Sequence, residues 1–277
     1  MTIGVIVPEL VHHFFSRVIS GIENRASQCG YHLVISLSKD AWLTEKEITE
    51  MLTNGYVDGL LISLAKETSK KADFSHFTKL LQRQFPLVFF DRIPPELPVD
   101  KVIVDDVEGG YQATSHLIHK GCKNIAILTT PEHISVGYDR ERGYKKALRE
   151  AHLPLDESLI IRIDERQSVV NQVDKLFSLE RKIPDAIFSV NENYAALAMK
   201  LAKQYEIKIP EEIRIVGFTD GIISKSLTPT LTTIAQHGFE MGERAMEILL
   251  ERMENKDMFD KQIVSVITTN LIERQST

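Results

Sequence analysis

The sequence predicts an α/β protein built as two doubly wound parallel-sheet lobes joined by three crossover strands. Two observations carry that reading. Short, apolar, β-branched runs alternate with segments of helical periodicity, the pattern of strands buried on both faces and covered by helices. The series is also duplicated: Ile3 and Val5 of the opening IGVIVPE stand 122 positions before Ile125 and Ile127, and Gly21 stands the same distance before Gly143. Residues 57–63 match 184–190 at nearly that step, bringing Asp58 onto Asp185, and residues 86–91 match 214–219. A repeated strand, loop and helix series gives two sheets whose carboxyl-end loops face one crevice.

The elements follow in order. Residues 2–7 form the first strand, ended by Pro8. Val18, Ile19, Ile22 and Ala26 recur at helical spacing, and Gly30 stops that helix before a strand at 31–36. A helix at 43–54, a strand at 57–63, a helix at 74–84 and a strand at 87–90 complete the first copy. Pro94, Pro95 and Pro98 then force a loop that leads to an extended crossover near Val102. Asp105 or Asp106 caps the next helix, which runs to Ile118 and closes at Gly121. The second copy has strands at 125–128, 159–163, 186–190 and 213–218, with helices at 140–151, 169–179 and 194–205. An extended run at 229–236, a helix at 241–253 and a last strand at 263–268 end the regular structure. The chain is therefore expected to cross between lobes near Val102, Ile234 and Val266, a hinge of three segments. The lobes are expected at residues 1–103 with 236–264, and 104–235 with 265–277.

Composition narrows the function. A net charge of −6 leaves no basic surplus to neutralise phosphates, so this chain by itself is not expected to grip nucleic acid. The two cysteines, Cys29 and Cys122, lie in different copies, which argues against a disulfide framework and for a reducing compartment. No signal peptide opens the chain, and no apolar run is long enough to span a membrane, so a cytoplasmic location is expected. His116 and His119 lack a third ligand at suitable spacing, so no metal is expected. Without a nucleophile elbow, a P-loop or a dinucleotide fingerprint, neither catalysis nor a cofactor is expected. Gly109 and Gly110 read as close helix packing rather than a phosphate cradle.

Several stretches then carry a family resemblance: HHFFSRVISGIE, PLVFFDR, VIVDDVEGGYQATSHLIHKGCKNIAIL, RERGYKKAL, DAIFSVNENYAALAMKLA and IRIVGFTDGIISKSLTPTLTTIAQHGFEMGERAMEILL. In this order they cover nearly the whole chain, which resembles the effector-binding core of lactose/galactose-repressor-type transcription regulators. These share the type I fold of periplasmic sugar-binding proteins. The helix-turn-helix headpiece that the family places ahead of its first core strand is expected to be absent, with Met1 opening the core directly. The resemblance implies that Phe14 and Phe15 sandwich a ligand ring, with His12 in a polar position before them. It also implies ligand hydrogen bonds from Asp91 and Arg92 in the first lobe, and contacts from Arg140, Phe188 and Asn191 in the second, with Gln236 at a crossover. Apolar C–H faces and a hydroxyl rim would suit a sugar to these residues.

One position departs from the family, which usually has an acidic residue directly after the Gly-aromatic pair. Here Gly217-Phe218 is followed by Thr219, with Asp220 one place later. With Arg92 and Arg140 opposed only by Asp91, that neutral residue weakens the case for a neutral sugar held by two carboxylates and strengthens that for an acidic sugar or sugar phosphate, with the choice among the three left open. Arg140 is read as heading its helix, where an arginine gains nothing from the dipole, and so as a ligand group rather than a surface ion pair. Two adjacent rings at an element start should not both enter one core, which leaves Phe14 or Phe15 for stacking. Asp91 and Arg92 can instead pair with each other, and Asn191 can serve as a plain helix cap.

The resulting expectation is a homodimeric regulator core that closes on a small carbohydrate and thereby alters operator binding through a headpiece outside the chain. The alternative is a solute-binding protein that feeds a sugar transporter. On the ligand reading, Arg140→Ala should abolish ligand-induced stabilisation yet leave the unliganded melting temperature nearly unchanged.

Overall fold

In the computed structural model, which describes residues 1–10, 13–177, 183–255 and 261–277, the chain divides into two units. Unit 1 comprises Met1–Val104 with His237–Ile267, and unit 2 comprises Asp105–Gln236 with Thr268–Thr277. The chain thus passes from one to the other three times. The last passage falls after Ile267, three residues beyond the expected 264, because β11 (Val264–Ile267) stays paired in parallel with β5 (Asp100–Val104) of unit 1.

Unit 1 contains β1 (Thr2–Val7), α1 (His13–Gln28), β2 (His32–Leu37), α2 (Trp42–Thr53), β3 (Gly59–Ile62), α3 (Lys66–Lys71), α4 (Ser75–Gln82), β4 (Leu87–Phe90), β5, α10 (Gly238–Glu254) and β11. Its sheet order is β11-β5-β4-β3-β1-β2, with every pairing parallel. Alternation along β1 decides which face each side chain serves. Ile3, Val5 and Val7 join the core beneath α1 and α10, whereas Ile6 joins the core beneath α2 and α4.

Unit 2 contains α5 (Asp106–His119), β6 (Ile125–Thr129), α6 (Ser135–Glu150), β7 (Ile160–Arg162), α7 (Val169–Asp174), β8 (Ala186–Ser189), α8 (Glu192–Gln204), β9 (Arg214–Thr219), α9 (Ile222–Ser226), β10 (Thr232–Ala235) and β12 (Asn270–Ile272). The order is β12-β10-β9-β8-β6-β7. Regular structure therefore does not end with the strand near 263–268. β12 adds to the sheet antiparallel to β10, pairing Thr233 with Ile272. Three residues with no apolar period of their own gave no signal in the sequence.

Each unit holds one helix pair at backbone contact. In unit 1, a Cβ on Gly21 would overlap the Phe239 carbonyl oxygen, and one on Gly242 the Val18 carbonyl oxygen. In unit 2, a Cβ on Gly110 would overlap the Arg140 carbonyl oxygen, and one on Gly143 the Val107 carbonyl oxygen. The 122-residue offset of Gly21 and Gly143 thus reflects the same packing device used twice.

The helix expected at 140–151 starts at Ser135 instead. Its N-cap, Ile134, makes no side-chain capping bond, so the start carried no capping residue to read. Arg140 consequently lies in the second turn rather than in a loop or at the helix head. The helix expected at 169–179 is described as Val169–Asp174, and residue 179 lies outside the described residues.

Candidate functional site

Parallel strands deliver their carboxyl ends to one edge of each sheet, and the loops and first helical turns that follow them carry the polar groups of interest. In unit 2 the centre is Arg140. Its Nε donates to Asp106 Oδ1 at 2.7 Å and its Nη1 to the Val190 carbonyl at 2.6 Å. Its guanidinium lies 3.7 Å from the centroid of the Phe218 ring. Arg140 and Asp106 are 5% and 8% exposed, so this is a buried, charge-assisted pair. Gly109 makes room for the ring, since a Cβ there would stand 2.7 Å from Phe218 Cζ.

The network continues from that ring. Thr219 ends β9 and donates from Oγ1 to Gln236 Oε1 at 2.8 Å. Gln236 is buried just beyond β10. Thr219 has φ 120°, a strained conformation for a β-branched residue, and Asp220 follows at φ 60°. Asp220 does not stand in for the missing acid. Its carboxylate is held by Arg274 and, at 3.2 Å, by Lys225. Phe188 on β8 is fully buried, its ring centroid 6.5 Å from that of Phe218. Asn191 Oδ1 accepts from the Tyr194 amide at 2.8 Å, so the side chain caps α8. Among the expected residues of this unit, Arg140, Phe188, Thr219 and Gln236 are thus linked by way of Phe218, whereas Asn191 serves as a helix cap.

In unit 1, Arg92 Nη1 donates to Asp40 Oδ1 at 2.6 Å, and its Nε lies 4.0 Å from Asp91 Oδ2. Arg92 therefore pairs chiefly with Asp40, 52 positions away, rather than with its neighbour. Burial pushes the Asp40 carboxyl up, but the charges of Arg92 and Lys66 and the Lys66 amide more than reverse this, so its pKa lies below the usual value. Asp91 adopts φ 60°, and its amide donates to the Val102 carbonyl at 3.0 Å. Arg92 also lies 5.8 Å from the Phe15 ring centroid.

Phe14 and Phe15 correct the expectation that only one of two adjacent rings could reach a core. Both are buried in the same cluster, packed edge to face with centroids 5.4 Å apart. The start of α1 turns both inward because Phe14 and Phe15 lie beside Val18 and Ile22 on its buried stripe. His12 lies outside the described residues.

Asp106 and Asp40, the partners of Arg140 and Arg92, are not among the residues the sequence points to. In the sequence Asp106 is only an alternative cap. Asp105 takes that role, accepting from the Glu108 amide at 2.9 Å, and the second carboxylate in VDD was the available signal. Asp40 gave none, since its partner is remote in sequence. The two together correct the charge argument for the ligand. Arg92 and Arg140 are each already matched by a carboxylate, so the strand-end groups carry no unopposed cationic pair that calls for an acidic sugar. Among the described residues no group of three or more His, Cys, Asp or Glu could hold a metal, and no helix is long and apolar enough to cross a membrane.

Two predominantly parallel sheets with polar strand-end networks define an effector-binding core of the periplasmic-binding-protein type. A family model described as a periplasmic binding protein-like domain matches residues 114–277. The HTH-type transcriptional repressor PurR of Vibrio atlanticus (strain LGP32) is 33% identical over 259 residues, 92% of this chain and 75% of the relative. The HTH-type transcriptional regulator DegA of Bacillus subtilis (strain 168) is 30% identical over 276 residues, 99% of this chain and 80% of the relative. A solved periplasmic binding protein/LacI transcriptional regulator from Alkaliphilus metalliredigens QYMF, complexed with D-xylulofuranose, superposes with a TM-score of 0.84 at 26% identity, covering 100% of this chain and 98% of that one. The chain belongs to the lactose/galactose-repressor-type family of transcriptional regulators and is its effector-binding core, not an enzyme. Relatives that are HTH-type regulators do not favour the transporter alternative.

Proposed function

We propose that this core binds a small neutral carbohydrate through the strand-end groups of its two units: Phe14, Phe15, Asp91 and Arg92 from unit 1, and Arg140, Asn191, Thr219 and Gln236 from unit 2, with the buried Phe188 behind them supporting Phe218. Binding draws the two units together by rotation at the three chain passages, and a homodimer transmits this to operator DNA through a helix-turn-helix headpiece in the cytoplasm. The observation that carries the reading is the Arg140 network. A buried guanidinium fixed by Asp106 and the Val190 carbonyl is a pre-oriented donor, and its charge is already balanced. The D-xylulofuranose complex of the Alkaliphilus metalliredigens relative supports a sugar of this size.

Thermal unfolding tests it, with D-xylulose, D-ribose and their phosphate esters added in turn. A ligand at a hundred times its Kd adds about 2.7 kcal/mol to the folded state. A neutral sugar should raise the melting temperature of the wild type and leave Arg140→Met/Asp106→Asn unmoved. Stabilisation by the phosphate esters alone would overturn the neutral-sugar reading. An equal shift in the double variant would remove Arg140 from the site.

A further inference from the structure

We propose that the outward face of α6 is a separate anion site, one that takes a small molecule bearing two or more phosphate groups. Arg142, Lys145, Lys146 and Arg149 fall at i, i+3, i+4 and i+7 on this helix, so all four present to one side. Like charges at these spacings repel one another. With Val107 and Glu150 they line a surface groove of about 440 Å³, within the size range of small-molecule sites.

The cations are not all neutralised. Arg142 pairs with Asp139 at 2.8 Å, and Lys145 with Glu141 at 2.9 Å and Glu157 at 3.5 Å. Lys146 instead lies over the Tyr111 ring at 4.4 Å. Arg149 has no carboxylate partner among the described residues. The one carboxylate lining the groove, Glu150, accepts the Tyr111 hydroxyl at 2.8 Å. Two exposed cations one turn apart, Lys146 and Arg149, therefore await anionic charge in a chain whose net charge is −6.

The surroundings choose between occupants. A guanidinium and an ammonium flanking a groove suit phosphoryl oxygens, the first by a fork of donors and the second as a point charge. Asp139, Glu141 and Glu157 border the patch. These would repel an extended acidic peptide or a nucleic acid backbone, whereas a compact bisphosphate stays within the basic face. The site does not depend on the carbohydrate reading, because it lies on the exposed side of α6, opposite the buried Arg140.

Isothermal titration calorimetry of the whole chain with inorganic pyrophosphate at low salt tests the site. Saturable one-to-one binding is expected, weakened about tenfold or more in Lys146→Glu/Arg149→Glu. A Lys79→Glu/Lys203→Glu control, which changes net charge equally at exposed positions elsewhere, should bind like the wild type. Thermal unfolding of both variants checks that they remain folded. Absent binding, or equal weakening by the control, would overturn the proposal. So would a poly-glutamate peptide that binds more tightly than pyrophosphate with the same dependence on Lys146 and Arg149.

Discussion

Arg140 and Asp106 form a buried ion pair, Nε to Oδ1 at 2.7 Å, between adjacent helices of unit 2. This contradicts the expectation that Arg140→Ala leaves the unliganded protein nearly unchanged, because truncation removes the charge-assisted partner of a carboxylate that is 8% exposed. Removing one partner of a buried pair costs about 3–5 kcal/mol, whereas replacing both with neutral groups of similar volume is often close to neutral. Arg140→Ala should therefore lower the urea midpoint sharply, and Arg140→Met/Asp106→Asn should recover most of it. A single variant as stable as wild type would show that the pair is not buried in solution.

Gly110 supports the same arginine from its backbone side. A Cβ there meets the Arg140 carbonyl oxygen, which backbone hydrogen bonding holds in place. Gly110→Ala should push α5 and α6 apart and cost about 1–3 kcal/mol, the usual range for overpacking. Gly30→Ala is the contrast: nothing lies near that Cβ, and the cost comes from its φ of +73°. Denaturant titration of both variants, with and without ligand, separates the cases. Only Gly110→Ala should also weaken ligand-induced stabilisation.

These glycines show what could be read in advance. Gly21 and Gly143 share an offset because duplicated helices repeat the same backbone contact, and such positional repetition survives in a bare sequence. Strands such as 125–129 were legible because full burial demands an unbroken apolar run. The start of α6 was not, since Ile134 supplies no capping side chain, and α3, α9 and β12 are too short to show a period. Site partners were the least legible. Asp106 lies 34 positions from Arg140 and Asp40 lies 52 from Arg92, and no local rule links residues so far apart.

Asp40 and Arg92 should give unit 1 an acid-sensitive term. The folded pKa of Asp40 lies below its ordinary value of about 3.9. Its contribution is thus present above that ordinary value and is lost as pH falls through the lower folded value. A hydrogen bond to a charged group contributes about 1.5–3 kcal/mol, so Asp40→Asn should be less stable than wild type at pH 7. The gap should narrow in more acidic solution, once the wild-type carboxyl also becomes neutral. A gap that did not narrow anywhere on the acid side of the ordinary value would mean that the charge on Asp40 is not what stabilises the pair.

Phe188 distinguishes a core residue from a ligand wall. It is fully buried on β8, in register with Ile127 of β6 and Val216 of β9, and its ring lies near that of Phe218. Deleting a buried ring costs about 3–5 kcal/mol, whereas an apolar swap that keeps most of the volume costs about 1.5 kcal/mol or less. Phe188→Ala should therefore lower unliganded stability by the larger amount, and Phe188→Leu should keep most of it. Because Phe218 carries the Arg140 guanidinium on its face, Phe188→Leu should also weaken sugar-induced stabilisation by loosening that ring. If Phe188→Ala instead left unliganded stability unchanged and abolished only the response to sugar, the side chain would have to be a ligand wall, and its place in the core would be wrong.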